Sequence, residues 1–367
     1  MPEQKAAAGR IRLGITGANA ERAWALAAHL PSVSQMPEAI AVTAVSARTT
    51  ELAEKARVVF GAGQAFGNSL ELVRSPDVDL VAVTVKVPEH RPIVLAALAA
   101  GKDIYCEWPL GRDLAEAREM AAAVPAGAHV MIGLQGLSAP AVRHAQHLIA
   151  QGAIGALRVM RVHSPSVGWG EEVPPVYAYL QEKRNGATLE TVATGHTLAI
   201  IDALAGPYVE VDARCSTLRK QVRLSGTDEM VERTCADHVM VLGLHDSGCV
   251  STLEVIGGVA KGEFTLVVEG EKGWIKLSGG DRGARPCDSQ SGPLILETSF
   301  AGIIDLPQTF PATTGAAINV SESYGRLVQD IASNSFTVPD FDTAVRLHDL
   351  IDAIDRASLS GRQKITP

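Results

Sequence analysis

Apolar positions in the first third of the chain follow two periods in turn. Five short runs carry consecutive apolar, often β-branched residues: Ile11 to Thr16, Ala39 to Ser46, Val78 to Val85, Asp103 to Cys106 and Ala128 to Leu134. Such runs are expected of parallel strands covered on both faces. Between them lie segments with helical spacing: Glu21 to Leu30, Thr50 to Phe60, Arg91 to Ala100 and Leu114 to Val124. In the second, Leu52, Ala56 and Val59 fall on one face, and Gly101 ends the third. Repeated strand–helix–strand units of this length predict a doubly wound parallel sheet.

After Ala141 the rhythm changes. Val142 to Gln151 has helical spacing, Leu157 to His163 reads as a strand, and a loop holds Gly168, Trp169 and Gly170. Thr188 to Leu204 reads as a helix. Strands then follow one another: Val209 to Leu218, His238 to Leu244, Cys249 to Val255, Phe264 to Glu269 and Trp274 to Leu277. The turns HDSG, EGEKG and SGGDRG separate several of them, which predicts a mainly antiparallel sheet in an α+β second domain. Phe341 to Ser358 returns to helical spacing. The expected organisation is a Rossmann domain over 1–136, an α+β substrate and oligomerisation domain over 137–340, and a C-terminal helix in 341–367 positioned to pack across the boundary.

Composition narrows the function classes. A length of 367 residues fits two domains, and 46% apolar with 20% charged residues is globular composition. The formal charge of −8, with Lys and Arg scattered, argues against direct nucleic-acid binding. Met1 to Arg10 lacks the apolar core of a signal peptide, and no run reaches the ~20 apolar residues of a membrane span. Five cysteines without C-x-x-C spacing read as reduced thiols of a cytoplasmic protein, and no Cys/His/carboxylate cluster has metal-ligand spacing.

The turn after the first strand is where a dinucleotide pyrophosphate would sit, against backbone N–H groups at a helix N-terminus. Of the usual G-x-G-x-x-G only Gly17 survives in Gly17–Ala18–Asn19–Ala20–Glu21–Arg22. Asn19 tolerates positive φ and suits the second glycine position; a plain strand–turn–helix without ligand fits this run equally well. After the second strand stand Ser46, Ala47, Arg48, Thr49 and Thr50, with no acid to bind ribose hydroxyls. Arg48 suits a 2′-phosphate and Thr49 can donate to it, which favours NADP over NAD unless Arg48 is only a solvated strand-end charge.

Further motifs appear in order: VTVKVPEH (Val83 to His90), AGKDIYCEWPLG (Ala100 to Gly111), GLQGLSAPAVRHAQHLI (Gly133 to Ile149), QGAIG (Gln151 to Gly155), ATGHTLAIIDAL (Ala193 to Leu204) and VEGEKGWIKL (Val268 to Leu277). Together they resemble the glucose-fructose oxidoreductase/inositol dehydrogenase (Gfo/Idh/MocA) family, within it the branch of the fungal galactose-pathway repressor. The resemblance implies a nicotinamide at the domain junction, bound by residues matching Val85, Lys86, Val87 and His90, and by Glu107, Trp108 and Pro109, with Gln135 alongside. It also implies a dimer or tetramer formed through the open face of the second sheet.

The chain departs from the family's active members at two positions. Trp108 stands where they carry the lysine of E-K-P, and Val192 where they carry the aspartate of D-x-x-x-H. His196 remains as the acid/base candidate, with Lys86 and Tyr179 as catalytic candidates beside it. Trp108, Trp169, Tyr177 and Tyr179 are candidates to contact a sugar-like substrate; Lys183 and Arg184 are alternatives to Lys86 for the missing cation. Each has a plainer reading: Lys86 as a cofactor-phosphate or surface contact, Lys183 and Arg184 as solvated charges, the aromatics as packing. Two functions follow: an NAD(P)-dependent dehydrogenase or reductase of a sugar, polyol or related hydroxy/keto compound, and a non-catalytic dinucleotide-binding regulator acting by protein–protein contact.

Overall fold

The computed structural model describes residues 9–259, 261–280 and 285–365. The chain is α/β, with a doubly wound parallel sheet followed by an α+β unit. Six strands, β1 (Ile11–Thr16), β2 (Ile40–Ser46), β3 (Gln64–Phe66), β4 (Leu80–Val83), β5 (Asp103–Glu107) and β6 (Val130–Gly133), form a wholly parallel sheet in the order β3-β2-β1-β4-β5-β6. Leu13 of β1 lies between Val42 of β2 and Leu80 of β4, so the centre of the sheet is apolar on both sides. The order reverses between β1 and β4, and ligands of such sheets bind at the strand C-termini beside that switch point.

The β1 boundaries and those of the helix Thr50–Phe60 coincide with the sequence reading. The helix expected over Glu21 to Leu30 is displaced. A π-helical turn, Ala25–His29, starts it and Leu30–Val33 continues it. The local cause is twofold. Asn19 Oδ1 accepts from the Glu21 and Arg22 amides at 2.9 and 3.0 Å, and Ala23 sits at φ 107°, outside helical space. Asn19 itself is not at positive φ, so it serves as a side-chain cap and not as a glycine substitute.

The second unit holds a nine-stranded sheet, in spatial order Gly302–Ile304, Leu294–Thr298, Trp274–Gly279, Thr265–Gly270, Leu157–Ser166, Val250–Gly257, His238–His245, Tyr208–Ser216 and Gln363–Lys364. Val250–Gly257 runs parallel to Leu157–Ser166; the other pairs are antiparallel. Burial alternates along His238–His245, as expected of a sheet covered on one face. The covering helices include Pro140–Ala150, Ala193–Ala205 and Phe341–Ser360. The SGGDRG turn lies partly outside the described residues, as do Met1 to Ala8.

Two helices join the units. Phe341–Ser360 packs against both the Tyr208–Ser216 strand and the Rossmann helix Leu114–Ala122. The helix Ala317–Ser333, not read from the sequence, falls inside the 137–340 stretch yet packs on the first sheet, where Val320, Tyr324 and Leu327 join Leu13, Ile15 and Leu80. No helix among the described residues is long and apolar enough to cross a membrane.

Candidate functional site

At the switch point, Gly17 has φ 71°, and a Cβ there would lie 3.0 Å from Val85 and 3.2 Å from the Thr84 backbone. Both the backbone conformation and the space require glycine. Thr84 Oγ1 donates to Thr16 O at 2.5 Å and Thr16 Oγ1 to Ala82 O at 3.1 Å, which locks the ends of β1 and β4 together. After β2, Ala47 N donates to Phe66 O, and Arg48 is exposed without an ion pair among the described residues. Thr49 Oγ1 accepts from Leu52 N at 3.3 Å, so the hydroxyl that was expected to meet a phosphate caps the helix Thr50–Phe60.

The loops after β4 and β5 are tied by His90. Its buried ring faces Val85 O through Nε2 at 3.1 Å and Pro109 O through Nδ1 at 3.0 Å. This residue was expected to touch cofactor; both ring nitrogens are instead committed to backbone carbonyls. Lys86, next to it, extends across the domain junction and places Nζ 4.2 Å from the Tyr179 ring centre. Two of the three catalytic candidates are thus brought together by a cation–π contact. Burial pushes the Tyr179 hydroxyl up to about 12, with the neighbouring Tyr177 adding to it. Tyr177 is itself 48% exposed.

Trp108 sits in a slot built for it. It is 5% exposed, donates from Nε1 to Thr191 O at 2.7 Å and packs against His348 with ring centres 4.8 Å apart. A Cβ on Gly195 would come within 2.6–2.8 Å of the indole. Trp108, a candidate for contact with cofactor and a sugar-like substrate, is a wedge between the Rossmann domain, the helix Ala193–Ala205 and the C-terminal helix. Trp169, a candidate to contact substrate with packing as its plainer reading, takes the packing arrangement. It is buried at φ 58°, and its Nε1 donates to Leu180 O at 3.1 Å. The alternatives for the missing cation are occupied elsewhere: Lys183 pairs with Asp355 at 2.7 Å and Arg184 with Glu182 at 2.6 Å.

His196 lies in the first turns of the helix Ala193–Ala205, 7% exposed, with Nδ1 buried and without a hydrogen-bond partner among the described residues. Burial pushes its pKa down to about 4, against the opposing pull of the Glu107 charge. Glu107 ends β5 and faces the same junction. Its Oε2 accepts from Gln135 Nε2 at 2.7 Å and its Oε1 meets His29 Nε2 at 2.8 Å. Gln135 Oε1 and Thr194 Oγ1 are likewise buried without partners. His196 Nδ1 and Gln135 Oε1 lie on adjoining elements, and buried polar atoms left unpaired are costly, so these two mark a place for a hydrogen-bonding ligand. The residues present therefore suit a nicotinamide dinucleotide, although the turn of Gly17 offers fewer free amides than a glycine-rich one. The sequence reading missed His29: it lies in a helix with no motif around it, and only the fold brings it 78 residues along the chain to Glu107.

A parallel sheet with a tight glycine turn at its switch point, facing a histidine across a domain junction, defines a two-domain oxidoreductase architecture with a dinucleotide-binding Rossmann fold. Residues 11–134 match the oxidoreductase family with NAD-binding Rossmann fold (Gfo/Idh/MocA), and residues 140–279 match the C-terminal domain of Gal80p. The first unit thus resembles the Gfo/Idh/MocA family and the second resembles Gal80p. Over 96% of its length it is 27% identical to the dehydrogenase aclE of Aspergillus oryzae, covering 97% of that protein. It is 28% identical over 73% of its length to the galactose/lactose metabolism regulatory protein GAL80 of Saccharomyces cerevisiae, covering 67% of it. The crystal structure of a super-repressor mutant of Gal80p from the same yeast shares the fold, with TM-score 0.85, 23% identity, and 97% of this chain and 98% of that one covered.

Proposed function

We propose that the chain is an NADP-dependent oxidoreductase that moves hydride between the nicotinamide and a sugar, polyol or related hydroxy/keto compound. The observation that carries this reading is His196, a buried imidazole with an unpaired nitrogen, on the helix face that meets the Gln135 turn and the Glu107 carboxylate bound to it. Gly17, Asn19 and Ala20 would face the pyrophosphate; Ala47, Arg48 and Thr49 the adenosine ribose; Val85, Lys86, Val87, Glu107 and Gln135 the nicotinamide half. His90 and Trp108 shape that half from behind. When bound, the cofactor supplies the hydride. His196 takes or returns the hydroxyl proton, and Lys86 and Tyr179 orient the substrate at the mouth, with Tyr177 at its rim.

The regulator reading has one observation in its favour. Trp108 does not merely replace a lysine; Gly195 and Thr191 are shaped to receive it. Steady-state NADPH oxidation against a panel of keto-sugars and hydroxy ketones separates the two. Turnover is expected; tight NADPH binding with no turnover of any compound establishes the regulator instead. In His196→Ala, turnover is expected to vanish while cofactor affinity stays nearly unchanged, and equal turnover in that variant removes His196 from the chemistry.

Cofactor choice is read at Arg48. Arg48→Ala is expected to weaken NADP binding by about tenfold with little effect on NAD, since a charge-assisted bond to a 2′-phosphate is lost. Titration by protein fluorescence measures it, and unchanged NADP affinity overturns the preference.

The open face of the large sheet exposes Met240, Leu242, Leu244, Val250, Ile295 and Ile303. Met240, Leu242, Leu244 and Val250 form an apolar patch, separated from Ile295 and Ile303 by the ion pairs Arg161–Glu269 and Lys276–Glu297; such a mixed face supports assembly of copies through it. Sedimentation equilibrium is expected to give a homodimer or homotetramer. A monomer throughout the concentration range contradicts this.

A further inference from the structure

A chain of hydrogen bonds runs behind the cleft and joins four segments distant in sequence. Tyr324 OH, on the helix Ala317–Ser333, lies 2.7 Å from His29 Nδ1; His29 Nε2 lies 2.8 Å from Glu107 Oε1; Gln135 Nε2 donates to Glu107 Oε2 at 2.7 Å. His29 and Tyr324 are completely buried. Burial raises the Tyr324 phenol far above its ordinary range, so its O–H stays available to donate to Nδ1. The ring proton then sits on Nε2 and is donated to Glu107, an assignment that satisfies all three groups.

The backbone is arranged for this contact. His29 closes the π-helical turn Ala25–His29, and the extra residue in such a turn re-aims the side chains that follow it. Gly133 leaves room on the other side, since a Cβ there would lie 3.0 Å from Glu107 Oε2. The carboxylate is therefore held by a donor at each oxygen and by backbone beneath. His196 lies one turn before Ile200, which packs on Gly136, so its ring is on the side of the helix that meets the Gln135 turn and the Glu107 carboxylate, whose charge opposes its burial. Position 192, where active relatives carry an aspartate, is a valine.

We propose that His29 and Tyr324 are positioning residues, which hold the Glu107 carboxylate as the fixed anionic partner of His196 in place of the aspartate missing at Val192. The phosphate-binding turn and the acid/base histidine are thereby mechanically linked, because His29 belongs to the helix that follows Gly17. This deepens the oxidoreductase reading and rests on His196 being its acid/base.

The test uses the cofactor-free full chain and needs no turnover. The His196 ring resonances are followed by two-dimensional NMR from about pH 7.5 to 3.5, so that the curve passes through the midpoint near 4. Glu107→Gln is expected to lower that midpoint by roughly half a unit or more, since an anion is removed. His29→Leu is expected to lower it as well, and His29→Leu/Glu107→Gln no further than Glu107→Gln alone. His29→Gln, which keeps a donor for Glu107, is expected to restore most of the shift. Should His29→Leu not fold, Tyr324→Phe carries the same expectation with a smaller shift. An unmoved His196 in Glu107→Gln, or additive shifts in the double variant, overturns the proposal. Absence of turnover overturns only the oxidoreductase reading, because the titration is independent of it.

Discussion

Arg233→Leu is expected to destabilise the chain by about 3–5 kcal/mol, the usual cost of stranding one member of a buried ion pair. Arg233 and Asp237 have no exposed side-chain surface and meet at 2.8 Å. The guanidinium also donates to Gln181 Oε1 at 2.8 Å and to Gly170 O at 2.5 Å. Asp237 in turn accepts from the Leu218 and Arg219 amides at 2.7 and 2.9 Å. Loss of the arginine leaves a carboxylate in a dry interior and frees both ends of the loop that carries Tyr177 and Tyr179. Urea denaturation monitored by fluorescence measures the loss, and a change below about 1 kcal/mol refutes the assignment, since that is the range of an exposed pair. Removal of both charges in Arg233→Leu/Asp237→Leu is expected to cost less than Arg233→Leu alone, because no uncompensated charge remains.

Stability is expected to fall steeply as pH drops from about 6.5 towards 4. Burial pushes His196 and His348 down to about 4 from the ordinary 6.5. The sign is fixed by which state takes the proton first. Below 6.5 the unfolded chain binds protons at both positions while the folded chain does not, so acid favours unfolding. Stability is complete above 6.5 and is lost progressively until the folded groups also protonate near 4. A shift of this size corresponds to about 3 kcal/mol per histidine at most. The two rings flank the Trp108 wedge, His348 by ring contact and His196 through the helix that carries Gly195. Protonation at either therefore loosens the domain junction. Melting temperatures between pH 7 and 4.5 measure the slope, and His348→Gln is expected to flatten it in part, since burial lowers His90 and His245 as well. An unchanged slope in that variant assigns the acid sensitivity to other groups.

Legibility differed between the two halves of the site. The β1 and Thr50–Phe60 boundaries were readable because apolar periodicity and capping residues agree there. The helix after Gly17 was not, because Asn19 and Ala23 hold the chain out of helical space for several residues. The helix Ala317–Ser333 was missed because its buried face mixes apolar with polar residues such as Asn319, Ser321 and Ser323; it packs on Ala25–Val33, nearly three hundred residues earlier. Lys86 and His196 were named from motifs and Tyr179 as a tyrosine in the segment before His196, and the fold sets Lys86 and Tyr179 against each other. For Trp108 and Trp169 both substrate contact and packing stayed open, because a sequence shows aromatic rings but not what already covers them.

The sequence alone determined the doubly wound sheet, the α+β second unit, the family resemblance, and the two substitutions at Trp108 and Val192. These follow from local periodicity and from short motifs, which are properties of neighbouring residues. The tertiary structure decided what the motif residues do. It turned His90 to two backbone carbonyls, closed Trp108 into a slot opposite Gly195, and brought His29, Gln135 and Tyr324 to Glu107. The physical reason is that hydrogen-bond partners and burial are set by contacts between segments far apart along the chain. No local pattern encodes those distances.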